Sequence, residues 1–204
     1  MRARLALQSS GITVQLREIV LRDKAPEFLK TSPKGTVPVL VTYNQVIEES
    51  LEIMHWALEQ ADPEGWLKTP IAGYDWISRN DGQFKLALDH TKYSINYPNL
   101  DFHCEREKAA NFLQDLNTQI ANNPWMFGKS CSIADMAILP FVRQFANIDN
   151  DWFDSQGWQN LQRWLSGFLK SNIFNLIMTK YDKWAPGDPI ISFPSNLKLF
   201  STQG

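Results

Sequence analysis

Thr36 to Ser50, T-V-P-V-L-V-T-Y-N-Q-V-I-E-E-S, holds the residues best suited by type and spacing to grip a small charged ligand. Glu49 and Ser50 stand where an apolar-periodic helix opens (Leu51, Met54, Ala57, Leu58, Ala61), and a serine there is a good N-cap. A helix N-terminus offers unpaired N–H groups and the positive end of a dipole to a carboxylate. The Glu49 carboxylate can meet an ammonium. Val37-Pro38 lies at the entrance to the preceding strand, where a proline begins a strand without breaking a ladder. A cis bond at such a proline is uncommon and usually kept for a purpose.

The elements around these residues are short. Val37–Tyr43 and Gln45–Glu48 are β-branched runs flanking a turn at Asn44, which reads as a hairpin. Upstream, Met1–Ser10 reads as a helix ended by Gly11, and Thr13–Leu21 alternates as a strand. One helical turn is expected around Pro26-Glu27-Phe28, and Ser32-Pro33-Lys34-Gly35 is a turn feeding Pro38. Asp62-Pro63-Glu64-Gly65 and Thr69-Pro70 then mark a linker. Beyond it the pattern is helical. Gly73–Asn96 places Ile77, Phe84, Leu88 and Ile95 near one face, and Glu105–Ala121 carries a stripe of Phe112, Leu113, Leu116 and Ile120. Trp158–Ser171 has the cleanest stripe, Leu161, Trp164, Leu165, Phe168 and Leu169. Ile173–Tyr181 is a last short helix, and the chain after Pro186 reads as loop. Ser132-Ile133-Ala134-Asp135, ahead of Met136 to Leu139, is a capping box with aspartate in the usual place of glutamate. Pro140 should remove one hydrogen bond from the helix that follows.

Other chemistry finds less support. Cys104 beside His103 invites a thiol–imidazole reading, but adjacency in sequence is not the geometry a nucleophile needs, and a helix-start position fits better. Cys131 reads as core. His55, His90, His103 and the two cysteines show no metal-ligand spacing. A net charge of -2 gives no footing for nucleic acid or an anionic membrane. No apolar run approaches the length of a membrane span. Leu5-Ala6-Leu7 is too short an apolar core for a secretory signal, and two cysteines make no disulfide framework, so a cytoplasmic setting is expected.

The order of strand, Val-Pro, hairpin, acid-serine step and helix resembles the glutathione-binding half of cytosolic glutathione transferases of the bacterial or omega-like type. S-x-A-D at Ser132–Asp135, with Gly128 ahead of it, is similar to the capping box of that family's helical domain. The resemblance implies an α+β fold: a thioredoxin-like domain over residues 1–61, an all-helical domain over 70–185, and a tail over 186–204. It implies that the Val37–Pro38 bond is cis and that Val37 pairs with the cysteinyl main chain of glutathione, while Glu49 and Ser50 hold the γ-glutamyl end. Lys24, in D-K-A-P-E-F, is similar to a family lysine that contacts the glycyl carboxylate, with Lys34 a second candidate. The implied activity is conjugation of glutathione to a small electrophile, or thiol exchange with a mixed disulfide, in a cytoplasmic homodimer without metal. A non-catalytic binding or scaffold module of the same fold is the alternative.

One departure from the family pattern stands out. The residue that activates the sulfur precedes the family's first helix, and Met1–Leu7 resembles that helix. The resemblance therefore places the activating residue, and an interior strand, upstream of Met1, and assigns no catalytic residue here. Three native strands and a gap or altered pairing between Thr13–Leu21 and Val37–Tyr43 are expected. Ile190–Phe193, or a partner chain, could fill the gap.

Overall fold

The structure, a computed structural model, describes residues 1–195. It divides into two compact units, one formed by Met1–Pro63 together with the described residues from Asn175 onward, the other by Glu64–Phe174.

In the first unit, α1 (Arg2–Ser10) ends at Gly11, whose φ of 70° is the left-handed conformation that a residue without Cβ adopts readily. The buried Leu5, Ala6 and Leu7 of α1 pack with Ile53, Met54, Ala57 and Leu58 of α3 (Ser50–Gln60). Ala3, Leu40, Ile47 and Ile53 form a small core, with Val14 and Trp56 against it. The hairpin is present but short: β2 (Leu40–Val41) pairs with β3 (Val46–Ile47) across a turn closed by Thr42 N–H to Gln45 O at 2.9 Å. Pro26–Thr31 forms a helix, α2, rather than a single turn.

Two strand expectations need correction. Of Thr13–Leu21 only Val14–Leu16 (β1) is strand, and the C-terminal stretch is not all loop. Ile191–Phe193 (β4) pairs antiparallel with β1, placing Val14 opposite Phe193 and Leu16 opposite Ile191. An open strand edge is a row of unmet donors and acceptors, and this β-branched, aromatic stretch meets one such edge while burying Phe193. Arg4 fastens the approach. Its guanidinium donates to the carbonyls of Ile177 and Thr179 at 3.2 Å, pairs with Glu18, and lies 5.2 Å from the Tyr181 ring centroid.

The second unit is helical. α4 (Ile71–Arg79) and α5 (Lys85–Lys92) are separated by a π-helical turn, Asn80–Phe84. The single stripe expected over Gly73–Asn96 fails at its end, because Ile95 lies in a separate 3₁₀ turn and is 92% exposed. Leu88, beyond the π turn, keeps its place on the stripe and is fully buried; the helix ends at Tyr93 (φ −112°, ψ 35°), and Ile95 lies past that end. Next come α6 (Phe102–Ile120), α7 (Ile133–Ala146), α8 (Asn150–Ser155), α9 (Gln159–Leu169) and α10 (Asn172–Ile177), the last running across the division between units. Leu113, Leu116, Ile120, Ile138, Leu139, Leu161 and Phe168 are fully shielded at its centre.

The Ser132–Asp135 capping box is present, and its reach is wider than a cap. The buried Asp135 carboxylate accepts from Met126 N–H (2.8 Å), Trp164 Nε1–H (2.9 Å), Ser132 N–H (3.0 Å) and Ser132 Oγ–H (2.6 Å). Burial pushes its pKa up against the pull of these donors. One carboxylate thus joins the loop before α7, the start of α7 and α9. No helix among the described residues is long and apolar enough to cross a membrane.

Candidate functional site

Glu49 is the residue that precedes α3, with φ −96° and ψ 131°, and no side chain caps the helix. Ser50 is therefore the first helical residue rather than the expected N-cap. The reason lies in the backbone: Glu49 is extended and its carbonyl takes the first helical bond, from Ile53 N–H at 3.0 Å. The Ser50 hydroxyl is left at the mouth of the helix, half-buried.

The turn before the hairpin carries Lys34 to this mouth and is itself crossed by Lys24. Gly35 N–H donates to Ser32 O at 2.9 Å, and Gly35 has φ 64°. The Leu29 and Lys24 side chains pack over that glycine, with Leu29 Cδ2 3.2 Å and Lys24 Nζ 3.3 Å from where a Cβ would stand, and it is the positive φ that favours glycine here. Lys34 points the other way, its Nζ 2.6 Å from Glu49 Oε1. This bond raises the pKa of the ammonium above its ordinary value. Ser32, fully buried, donates to Glu48 Oε1 at 2.5 Å and ties the turn to the end of the hairpin. Two residues beyond Gly35, the Val37–Pro38 bond is cis and Val37 is 44% exposed.

Lys24 and Lys34 are thus both drawn to one turn, and Lys34 links that turn to the Glu49–Ser50 step. The tie from Lys34 to Glu49 and the Ser32–Glu48 bond were not foreseen, although S-P-K-G facing E-E-S carried the complementary charges. Chemically the arrangement offers a helix start to a carboxylate, an acid to an ammonium, and a second cation across the turn.

The thiols stand elsewhere. Cys104 lies in the first turn of α6, where its N–H donates to Asp101 at 2.8 Å, and Asp101 holds its thiol above the ordinary value. That is the opposite of what a nucleophile needs. His103 faces Arg106, at 3.3 Å, rather than the thiol. Burial pushes the Cys131 thiol far up. Among the described residues no group of three His, Cys, Asp or Glu side chains could hold a metal ion.

The sequence pattern of the family described as "Glutathione S-transferase, N-terminal domain" matches residues 1–65, and that of "Glutathione S-transferase, C-terminal domain" matches residues 57–166. The chain belongs to the glutathione S-transferase family. Its fold is accordingly a thioredoxin-like N-terminal domain followed by a helical C-terminal domain. Among curated relatives it is 28% identical over 152 residues to the probable glutathione S-transferase parA of Nicotiana tabacum, covering 71% of this chain and 67% of that one. It is 27% identical over 148 residues to elongation factor 1-gamma 3 of rice, covering 67% of this chain but only 36% of that protein. Among solved structures, poplar glutathione transferase F1 superposes with a TM-score of 0.71 at 19% identity, covering 86% of this chain and 89% of its own. A Pseudomonas fluorescens family member, solved with two glutathiones bound, superposes with the same score at 15% identity, covering 84% of each chain. At these identities the structures speak to the fold.

Proposed function

We propose that this chain binds glutathione along Val37–Pro38 and conjugates it to a small electrophile. The observation that carries the reading is the Glu49–Ser50 step: a helix of eleven residues begins there without a side-chain cap, in the unit that bears the family's N-terminal pattern. The γ-glutamyl carboxylate takes the α3 N–H groups and the Ser50 hydroxyl, its ammonium takes Glu49, and Lys24 takes the glycyl carboxylate. Val37 supplies main-chain partners to the cysteinyl residue. In the reaction the thiol loses its proton to solvent and the sulfur forms a bond to the electrophilic carbon. The leaving group departs with the bonding pair. The same bound thiolate attacking a mixed disulfide would instead form a new S–S bond and release the other thiol.

A hydrogen bond to a charged group contributes about 1.5–3 kcal/mol, so Ser50→Ala should weaken glutathione binding at least about tenfold by titration calorimetry. Unchanged affinity would remove Ser50 from the site. Turnover is read separately, with an activated aryl chloride and glutathione. Binding without turnover supports the second reading, a glutathione-binding module, which the similarity to elongation factor 1-gamma favours. A soluble homodimer of the cytoplasm is part of the same proposal.

A further inference from the structure

The segment that follows α10 makes two passes beside β1 and the residues just after it. On the first, Trp184 N–H donates to Glu18 O at 2.9 Å, and Lys183 forms a parallel bridge with Glu18. Arg17 lays its guanidinium 4.5 Å from the centroid of the Trp184 ring, and Lys183 pairs with Asp23. A turn follows, in which Ala185 N–H donates to the Asp188 carboxylate at 2.6 Å and Asp188 N–H to Ala185 O at 3.1 Å. On the return pass Ile191–Phe193 pairs with Val14–Leu16. All of β1 lines a neighbouring cavity whereas β4 lines it with Phe193 alone, so β4 holds the edge of β1 turned away from that cavity. The two passes are therefore independent of what pairs with the opposite edge.

The first pass falls on the few residues that lead to Lys24. The chain leaves β1 at Leu16 and turns at Val20–Asp23, where Asp23 N–H donates to Val20 O at 2.9 Å. Lys24 comes next. On its far side the backbone is set by α2: the buried Ala25 precedes that helix, and its carbonyl accepts from Phe28 and Leu29 N–H. On its near side Glu18 and Asp23 each have a residue of the C-terminal segment as partner. A lysine stem has many rotamers, so the aim of its ammonium depends on how firmly its own backbone is held. The Lys183–Asp23 pair is substantially exposed (40% and 68%) and holds little by itself. It acts together with the main-chain bond to Glu18 and the ring under Arg17.

We infer that Lys183 and Trp184 are positioning residues, which hold the turn at Val20–Asp23 and so aim Lys24 at the glycyl carboxylate of the bound tripeptide. The inference rests on the proposed reading of Lys24 as the partner of that carboxylate. It adds that a distant stretch of the chain sets how strongly glutathione is preferred over γ-glutamylcysteine, the ligand that ends one residue earlier.

The test uses the full chain and titration calorimetry with both ligands, at about 0.15 M salt so that remote charge effects are screened. Lys24→Ala removes the ammonium itself and should weaken glutathione at least about tenfold, and γ-glutamylcysteine less than about twofold. Trp184→Ala combined with Lys183→Ala should weaken glutathione about three- to tenfold, leave γ-glutamylcysteine within about twofold, and quicken amide exchange in residues 18–24. Trp184→Phe, which keeps a ring for Arg17, should restore most of the preference. In the Lys24→Ala background the same substitutions should change glutathione affinity by less than about twofold. The ratio of the two affinities is the readout, because a weakened fold lowers both alike. If the Trp184 and Lys183 variants weaken both ligands equally, or neither, while Lys24→Ala keeps its selective effect, this inference is overturned and Lys24 retains its role. A full further loss in the Lys24→Ala background also overturns it. A Lys24→Ala variant that holds glutathione as tightly as the wild type overturns the reading of Lys24 and the inference with it.

Discussion

Removing the Asp135 carboxylate is expected to cost the second unit several times what a lost helix cap costs. Replacing a capping side chain with alanine typically costs about 1 kcal/mol, and Ser132→Ala falls in that class. Asp135→Ala does more. It strands Met126 N–H, Trp164 Nε1–H and Ser132 N–H in a place where the aspartate is fully shielded from solvent. Each buried donor left without a partner costs about 1–3 kcal/mol. Some water will enter the space that the carboxylate vacates, so about 3–5 kcal/mol is expected rather than the upper sum. For a chain of this size that corresponds to a fall in melting temperature of about 6–20 °C. Because two units need not unfold together, amide exchange of α7 in a urea series is the cleaner assay. Asp135→Asn keeps the shape but turns one acceptor into a donor facing N–H groups, and should fall between the alanine variant and the wild type. Ser132 and Asp135 share partners, so their losses should be markedly less than additive in a double-mutant cycle. If Asp135→Ala costs only about 1 kcal/mol, the carboxylate is a cap and nothing more, and the reasoning fails.

Two further predictions concern charged pairs. Lys34→Ala frees Glu49 for a ligand ammonium. Because both side chains are more than half exposed (55% and 61%), glutathione affinity should rise no more than about fivefold, the gain shrinking with added salt. A loss of affinity in calorimetry would show instead that Lys34 itself holds the ligand. In the second unit, Lys108 and then His90 bond to Glu105 and hold its carboxyl below the ordinary value of 4.5. A depressed folded-state pKa gives stability that is present above 4.5 and lost as pH falls toward the folded value. Melting temperatures taken down through that range should therefore fall less steeply for Glu105→Gln than for the wild type, and parallel curves would rule the pair out as an acid-sensitive contribution.

What could be read from the sequence was whatever depends on neighbours within a few positions. The hairpin around Asn44, the stop at Gly11, the capping box at Ser132 and the stripe of Leu161, Trp164, Leu165 and Phe168 are local patterns, and all are in the structure. What depends on distant partners was legible only in part: Ile190–Phe193 could be named as able to fill the gap between Thr13–Leu21 and Val37–Tyr43, whereas it pairs with β1 alone. Ile191–Phe193 is strand because β1 offers it an edge, roughly 175 residues earlier in the chain. Ile95 leaves its stripe because the helix ends at Tyr93 and a separate 3₁₀ turn follows, an end that the residue types ahead of Tyr97-Pro98 do not fix. At the candidate site, Glu49 and Ser50 could be singled out by type and order. The exchange of roles between them, with Glu49 flanking the helix and Ser50 within it, follows from backbone angles that either residue tolerates. Asp135 was recognisable as a cap, but its bonds to Met126 and Trp164 come from a loop and a helix that only folding brings near.

The contrast between two serines decides how a binding experiment on this chain is to be interpreted. Ser132 caps α7: its hydroxyl accepts Asp135 N–H and donates to the carboxylate, so its loss is felt as stability. Ser50 makes no capping bond to α3, and that helix draws its stability from the packing of Ile53, Met54, Ala57 and Leu58 instead. Ser50→Ala should therefore leave the melting temperature close to that of the wild type, since alanine is also the better helix former. A drop in glutathione affinity in that variant then reports a lost contact with the ligand and not a weakened fold. If Ser50→Ala lowers stability as Ser132→Ala does, the hydroxyl serves the protein itself, and the mouth of α3 is closed to the γ-glutamyl carboxylate.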